Sequence, residues 1–376
     1  MKELLKIGII TLNGYFNYGN RLQNYALQEV IKGLGFEVDT IIKENAKETN
    51  GKRKITDRIK SLSTRSLPEV ISIVEKKYTN KAYKQRINRR TDIFKEFSQK
   101  YINETEYAIS EDNILEGLAD QYDFFVVGSD QVWNPHYQKG SSIEFLTFAP
   151  QQKRVSYAAS FGINSIPDEY VDDYSKWLSE MNHISVREHV GANIVEELTG
   201  REVEVVLDPT LLLSKDEWLD IAEVASDKPK KGYVLTYFLG KVSKERKSYI
   251  QKIAKENDLE IINLAQLNEI VSYLSGPSEF IDYINTADIF LTDSFHGAAF
   301  SIMLNTPFIV FDREGNSPSM SSRIDTLLGT FKLESRAFNN FTNDDELFEV
   351  DFSKVPSILE VEKEKAMSYL KTALNI

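Results

Sequence analysis

Ile7-Gly8-Ile9-Ile10-Thr11-Leu12, the loop Asn13 to Asn20, the helically spaced Leu22, Tyr25, Ala26, Val30 and Leu34, and Phe36-Glu37-Val38-Asp39-Thr40 together decide the fold. The first run is short, apolar and rich in branched side chains, which suits a buried strand. The polar loop leads into a helix with one apolar face. Gly33 and Gly35 close that helix, and strand alternation resumes at Phe36. Strand, loop, helix and second strand in this order make the unit that opens a doubly wound α/β domain.

Further along, the rhythm returns at Tyr122 to Gly128, a buried strand running into the turn Ser129 to Pro135. Strand-like pieces follow at 154–159, 184–187 and 204–207, the last ending in Asp208-Pro209. A helix over 190–198, stopped by Gly200, separates the last two. The polar stretch 225–232, with Pro229 and Gly232, reads as a linker. A second alternation then runs through strand 233–239, helix 243–256, strand 260–264, helix 278–286, strand 289–292, a helix from about 297 to 304 and strand 308–311. The expected fold is α/β, with two Rossmann-like domains facing a cleft: 1–225, 226–356, and a C-terminal helix in 357–376 that packs back on the first domain. Ligands then belong at strand C-termini beside the cleft.

Composition narrows the chemistry. At 376 residues and 41% hydrophobic content, two domains are expected rather than one. The absence of cysteine excludes thiolate catalysis and Cys-ligated metals, and it fits a cytoplasmic location. The apolar run at the N-terminus is too short for a signal peptide. Ala287 to Phe311 is apolar but interrupted by Asp288, Asp293, His296, Asn305 and Pro307, so it reads as strand, turn, helix and strand rather than a membrane span. The net charge of −12 is uneven: residues 51–100 hold 15 Lys or Arg against 5 Asp or Glu, a net of +10. Apolar residues recur at three and four among these charges, predicting two or three amphipathic basic helices over about 45–105, inserted in the first domain. Such a segment suits either an anionic lipid surface at the inner face of a membrane or solvent around a helix pair. An acidic chain without a nucleic-acid-binding signature argues against DNA or RNA.

Of four histidines, His296 follows a predicted strand and opens a helix in Asp293-Ser294-Phe295-His296-Gly297. Gly297 permits close approach to the backbone, and the helix N-terminus offers free N–H groups to an anion. That same end disfavours an imidazolium, so an acid role needs a bound anion beside the ring. A histidine that merely satisfies a strand end is the ordinary alternative. Arg187 ends an apolar strand, where a guanidinium suits capture of carboxylate or phosphate, or else pairs with Glu188. Ser322 and Arg323 could meet a phosphate, and Gly276, before Pro277-Ser278, could add backbone donors. The loop Asn13 to Arg21 lacks the spacing of a dinucleotide fingerprint or P-loop, and its amides and rings suit a sugar better than a pyrophosphate. No HExxH, EF-hand or spaced His/Asp cluster appears, so no protein metal site is expected.

Several ordered segments carry a resemblance. They are Asn17-Tyr18-Gly19-Asn20 with Gln23 and Ala26-Leu27, Val127 to Asn134, and Ser156 to Gly162, followed by Ser185 to Glu188, Val206 to Thr210, and Thr292 to Gly297. Together, over about residues 7–330, the chain resembles the polysaccharide pyruvyl transferase family. The resemblance implies a GT-B-like two-domain fold and transfer of a pyruvyl group from phosphoenolpyruvate, as donor substrate and without a further cofactor, to a pair of sugar hydroxyls. The glycan acceptor is then a cell-surface polysaccharide or its lipid-linked precursor. Members of the family often carry arginine two positions before the motif histidine. Here that position is Ser294, so either Arg323 or Arg187 replaces the contact or the donor differs.

On this resemblance His296 is the expected proton donor, with Asp130 or Asp293 taking the acceptor proton. Arg187, Arg323, Ser294, Gly297, Ser322 and Gly276 are expected around the donor, and Asn17, Asn20, Arg21, Gln131 and Trp133 around the acceptor. A GT-B-like glycosyltransferase using a nucleotide sugar and a non-catalytic glycan-binding protein are the competing readings.

Overall fold

The computed structural model describes residues 4–44, 67–138, 140–267, 269–314 and 321–376. Two parallel sheets organise the chain. The first has seven strands in the order β3-β2-β1-β4-β5-β6-β7: β1 (Lys6–Ile10), β2 (Glu37–Lys43), β3 (Glu104–Ile109), β4 (Phe124–Asp130), β5 (Arg154–Ala159), β6 (Ser185–Val186) and β7 (Glu204–Val205). The second has four in the order β11-β10-β8-β9: β8 (Tyr233–Tyr237), β9 (Glu260–Asn263), β10 (Ile289–Thr292) and β11 (Phe308–Val310). The longer helices are α1 (Tyr18–Gly33), α2 (Leu67–Tyr101), α3 (Val171–Ser179), α4 (His189–Thr199), α5 (Lys215–Asp220), α6 (Lys244–Glu256), α7 (Pro277–Thr286), α8 (Phe295–Leu304), α9 (Ser321–Phe331) and α10 (Val355–Ala373).

Parallel strands buried on both faces need apolar residues at successive positions, and both sheets have them. Ile9, Val126, Leu235 and Phe290 point into one continuous core that joins the two sheets. Their neighbours Ile10, Phe125 and Val127 face a separate cluster behind the first sheet, and Val234 and Leu291 face one behind the second. The period-2 alternation of side chains thus splits each apolar run between an inner and an outer core. The helix α10 crosses back to the first sheet, where Tyr369 Oη donates to Ser156 O at 2.7 Å and Lys365 Nζ to Val205 O at 2.7 Å.

Two elements differ from expectation. The described part of the basic insert is a single 35-residue helix, α2, rather than two or three. From Glu69 to Tyr101 no glycine or proline interrupts it, and Pro68 sits in its first turn, where a missing N–H costs nothing. The remainder of the expected insert, 45–66, lies outside the described residues. The sequence reading also passed over β3, whose half-buried Glu104-Thr105-Glu106-Tyr107 pattern is that of an edge strand. Among the described residues, no helix is long and apolar enough to cross a membrane.

Candidate active site

The C-terminal ends of β4, β6 and β7 converge with the first turns of α1, α8 and α9. Asp130, the last residue of β4, has a left-handed backbone (φ 68°) that an aspartate tolerates better than most side chains. Its Oδ2 accepts from Asn20 Nδ2 at 2.9 Å and its Oδ1 from Arg187 at 3.3 Å, with Arg323 4.0 Å away. Asp208 is held by the Asp-Pro-Thr turn it begins: Oδ1 accepts from the Thr210 N–H at 3.0 Å and its hydroxyl at 2.7 Å. That leaves Oδ2 facing Ser129 Oγ at 2.8 Å, Arg187 at 2.7 Å and His296 Nε2 at 3.5 Å. Arg187 therefore bridges two aspartates, and the Phe295 ring lies 4.3 Å from its guanidinium carbon.

His296 comes from the other sheet. Ser294 begins α8, its hydroxyl accepting from the Gly297 N–H at 3.3 Å while its own N–H donates to Thr292 Oγ1 at 3.0 Å. Gly297 is required by close packing, since a Cβ there would stand 3.0 Å from both Phe290 and Thr292. This cap turns His296 toward α1, where a Cβ on Gly19 would lie 2.1 Å from its Nδ1. The site is thus closed by a side chain of one unit packed on the backbone of the other.

Electrostatically the cluster is a set of buried, opposed charges. Burial alone would raise Asp208, but His296, Arg187 and Thr210 outweigh it and hold its carboxyl well below the usual carboxylate range. Asp130 is held low in the same way, with burial opposed by Arg187, His296 and Arg323. Burial lowers Arg187 too, but Asp208, Asp130 and Glu188 leave it raised. Arg323 is the exception: burial first, then the neighbouring Arg187, push it down to about 10. It is a cation that its surroundings do not fully match.

Carboxyls depressed in the folded state add stability above the unfolded aspartate value of about 3.9, and that stability is lost as pH falls through their folded values. Denaturant unfolding should therefore report stability falling steadily below about pH 4, and Arg187→Met should flatten this acid slope. Parallel acid curves for parent and variant would contradict the coupling.

Five buried atoms around the cluster have no hydrogen-bond partner among the described residues: Arg187 Nε, Arg323 Nε, Ser322 Oγ, Glu188 Oε2 and His296 Nε2, the last 3.5 Å from Asp208 Oδ2. Buried polar atoms in folded proteins are nearly always satisfied, so these five are the exceptions that the cluster presents. A cavity of about 100 Å³ borders the cluster at Arg187, Asp208 and Phe295 and runs away from it past Thr326 to Glu362 and Lys365; His296, Asp130 and Arg323 do not line it. Among the described residues, no group of three or more His, Asp or Glu is arranged to hold a metal ion.

Of the residues expected from sequence, His296, Asp130, Arg187, Arg323 and Asn20 are brought together, with Ser322 next to Arg323. Asn17 precedes α1 at its N-cap position, half-buried and without a side-chain cap bond. Gln131 accepts from Asn134 Nδ2 at 2.9 Å and is pinned against Gly162. Others are engaged elsewhere. Asp293 accepts from the Leu239 and Gly240 N–H groups at 2.7 and 2.8 Å, tying a loop of the second sheet. Arg21 pairs with Glu104 at 2.7 Å and donates to Leu12 O at 3.0 Å. Trp133 is fully buried, stacked on Phe145. Gly276 donates to its own helix's Glu279 and presses on Ile93 of α2. Sequence reasoning gave no role to Asp208, Ser129 or Gly19, although all three lie in quoted motifs. The available signal was an Asp-Pro turn directly after a strand, on the sheet edge where ligands bind.

In three dimensions, S. aureus MnaA, solved with UDP, superposes with a TM-score of 0.51 at 10% identity, covering 99% of this chain and 97% of that one. UDP-GlcNAc 2-epimerase of Methanocaldococcus jannaschii, solved with UDP-GlcNAc and UDP, gives a TM-score of 0.47 at 13% identity over 96% of this chain and 93% of that one. The glycosyltransferase of kitacinnamycin gives 0.45 at 10% identity over 99% and 100%. The first of these likenesses speaks to fold alone, a GT-B-like pair of parallel α/β units. No curated protein matches the chain in sequence. The model of the family "Polysaccharide pyruvyl transferase" matches residues 17–315, a span that holds Asn20, Asp130, Arg187, Asp208 and His296, and the chain therefore belongs to the polysaccharide pyruvyl transferase family.

Proposed function

We propose that the chain transfers the pyruvyl group of phosphoenolpyruvate to two hydroxyls of a glycan, forming a pyruvate ketal. The observation that carries this is the set of donors on Arg187, Arg323 and Ser322 that have no partner among the described residues, gathered with His296 around Asp130 and Asp208. Two guanidinium groups and a hydroxyl suit the carboxylate and phosphate of a compact dianionic or trianionic molecule.

In this reading Arg323 is the principal anion holder. Arg187 directs each terminal nitrogen to an aspartate, and its Nε, without a hydrogen-bond partner among the described residues, is turned to the donor. His296 delivers a proton to the methylene carbon, and C2 becomes an oxocarbenium-like centre. Asp208, 3.5 Å from Nε2, and the donor phosphate supply the negative charge that an imidazolium needs beside a helix N-terminus. One sugar hydroxyl adds to C2, the C2–O bond to phosphate breaks, and the second hydroxyl closes the ketal. Of the two hydroxyl protons released, one restores His296 and the other leaves on phosphate. Asp130, fixed between Asn20 and Arg187, orients the attacking hydroxyl. Arg323 and Ser322 stabilise the departing phosphate.

The acceptor lies on the side of the Asn13–Asn20 loop, where Phe16 is 67% exposed and the adjacent Asn17 offers an amide. An acceptor carried on a lipid would bring the basic segment 51–100 to an anionic membrane surface, although 51–66 lie outside the described residues.

Thermal unfolding with separate ligands tests the donor. Phosphoenolpyruvate and, more weakly, inorganic phosphate should raise the melting temperature, because a ligand bound only by the folded state stabilises it. Stabilisation by UDP or UDP-sugars with no response to phosphoenolpyruvate would replace this reading with a nucleotide-sugar glycosyltransferase.

A further inference from the structure

We infer that Arg90, on the inserted helix α2, is a positioning residue that sets His296 against Asp208 and Asp130 by clamping the first turn of α1. The inference rests on the role given above to His296.

Three consecutive residues of α1 look in three directions, as helical rotation dictates, and each touches a different part of the machine. Tyr18 enters the core of the second unit: its ring stacks on Phe280 at 4.2 Å, meets Tyr237 edge-on at 5.2 Å, and its hydroxyl donates to Ser275 O at 3.0 Å. Gly19 is the surface on which the His296 ring rests. Asn20 holds Asp130. A shift of this turn therefore moves the histidine's seat relative to the aspartates that it works beside.

Arg90 fixes the turn from outside. It is 4% exposed, and its guanidinium carbon lies 4.7 Å from the ring centre of Tyr18, 4.9 Å from that of Phe94 and 4.8 Å from that of Tyr273. It also donates to Tyr273 O and Leu264 O of the second unit. Two further contacts hold α2 there: Arg86 donates to Leu267 O at 2.7 Å, and Ile93 packs on Gly276. A planar cation with a fork of donors can lie against rings and bind carbonyls at once, which neither lysine nor an apolar side chain reproduces. The insert thus does more than cover a surface. It joins α1 to the unit that carries His296.

The test uses full-length protein carrying carbon-13-labelled histidine. The four histidines, His136, His183, His189 and His296, give four ring signals, and loss of one in His296→Gln identifies the fourth. In Arg90→Met the His296 signal should move while the other three stay, and kcat for pyruvyl transfer should fall at least tenfold while phosphoenolpyruvate binding stays within a few fold of the parent. Arg89→Met, at an exposed neighbour paired with Glu96, should change neither. If Arg90→Met does not fold, Arg90→Lys, which keeps the charge and loses the fork, is judged on the same readouts. An unmoved His296 signal with kcat within twofold of the parent would overturn the inference and make Arg90 a stabilising contact only. Should the parent not bind phosphoenolpyruvate, the functional reading fails, while the His296 signal still decides the positioning role.

Discussion

Replacing His296 with glutamine should lower pyruvyl transfer by about 10²- to 10⁴-fold, the contribution of a positioned general acid, while phosphoenolpyruvate binding stays within a few fold. Glutamine keeps an amide near Asp208 and fits the space above Gly19, so the fold and the anion contacts of Arg323 and Ser322 survive. What is lost is the group able to carry a proton to the methylene carbon. The effect belongs in kcat, because proton delivery acts in the transition state and donor binding does not depend on it. Steady-state kinetics with direct donor titration separate the two. A variant retaining a tenth or more of the parent rate would remove His296 from the mechanism.

That histidine was legible in the sequence because strand, serine, histidine and glycine in order place a ring at a sheet's C-terminal edge. The opening strand-helix-strand unit was legible too: β1, α1 and β2 fall where the apolar run, the helical spacing and the resumed alternation put them. Partners remote in the chain were not legible. Arg21 looks like a ligand-facing cation in a polar loop, but Glu104, on an edge strand 83 residues away, absorbs it. Trp133 shares the turn that follows Asp130 and yet points into the core. Asp293 precedes the motif histidine and spends its charge on two backbone N–H groups of another loop. Asp208 is hidden for the opposite reason: an Asp-Pro turn reads as a strand terminator until β7 is seen beside β6, which brings its Oδ2 to Arg187.

Arg187→Met should cost about 3–5 kcal/mol of stability, the range for removing one partner of a buried ion pair. Methionine fills much of the arginine stem's volume, so cavity formation contributes little. The cost comes from Asp130 and Asp208, 7% and 1% exposed, left without the guanidinium that spans them. Adding Asp208→Asn to the variant should recover part of the loss, since groups in one network couple rather than add. Denaturant unfolding of the four proteins of this cycle measures the coupling. A loss below about 1 kcal/mol for the single variant, within the range of an exposed pair, would mean that the bridge is not what holds the two carboxylates together.

The central claim is the chemistry, and phosphoenolpyruvate labelled with carbon-13 at C3 addresses it directly. Incubated with the full-length protein and a glycan extract containing polysaccharide and lipid-linked precursors, the label should pass from a methylene to a ketal methyl signal as one phosphate is released per ketal, and His296→Gln should stop both. Sugar transfer from a UDP-sugar to the same extract, with the labelled methylene left intact, would contradict the account.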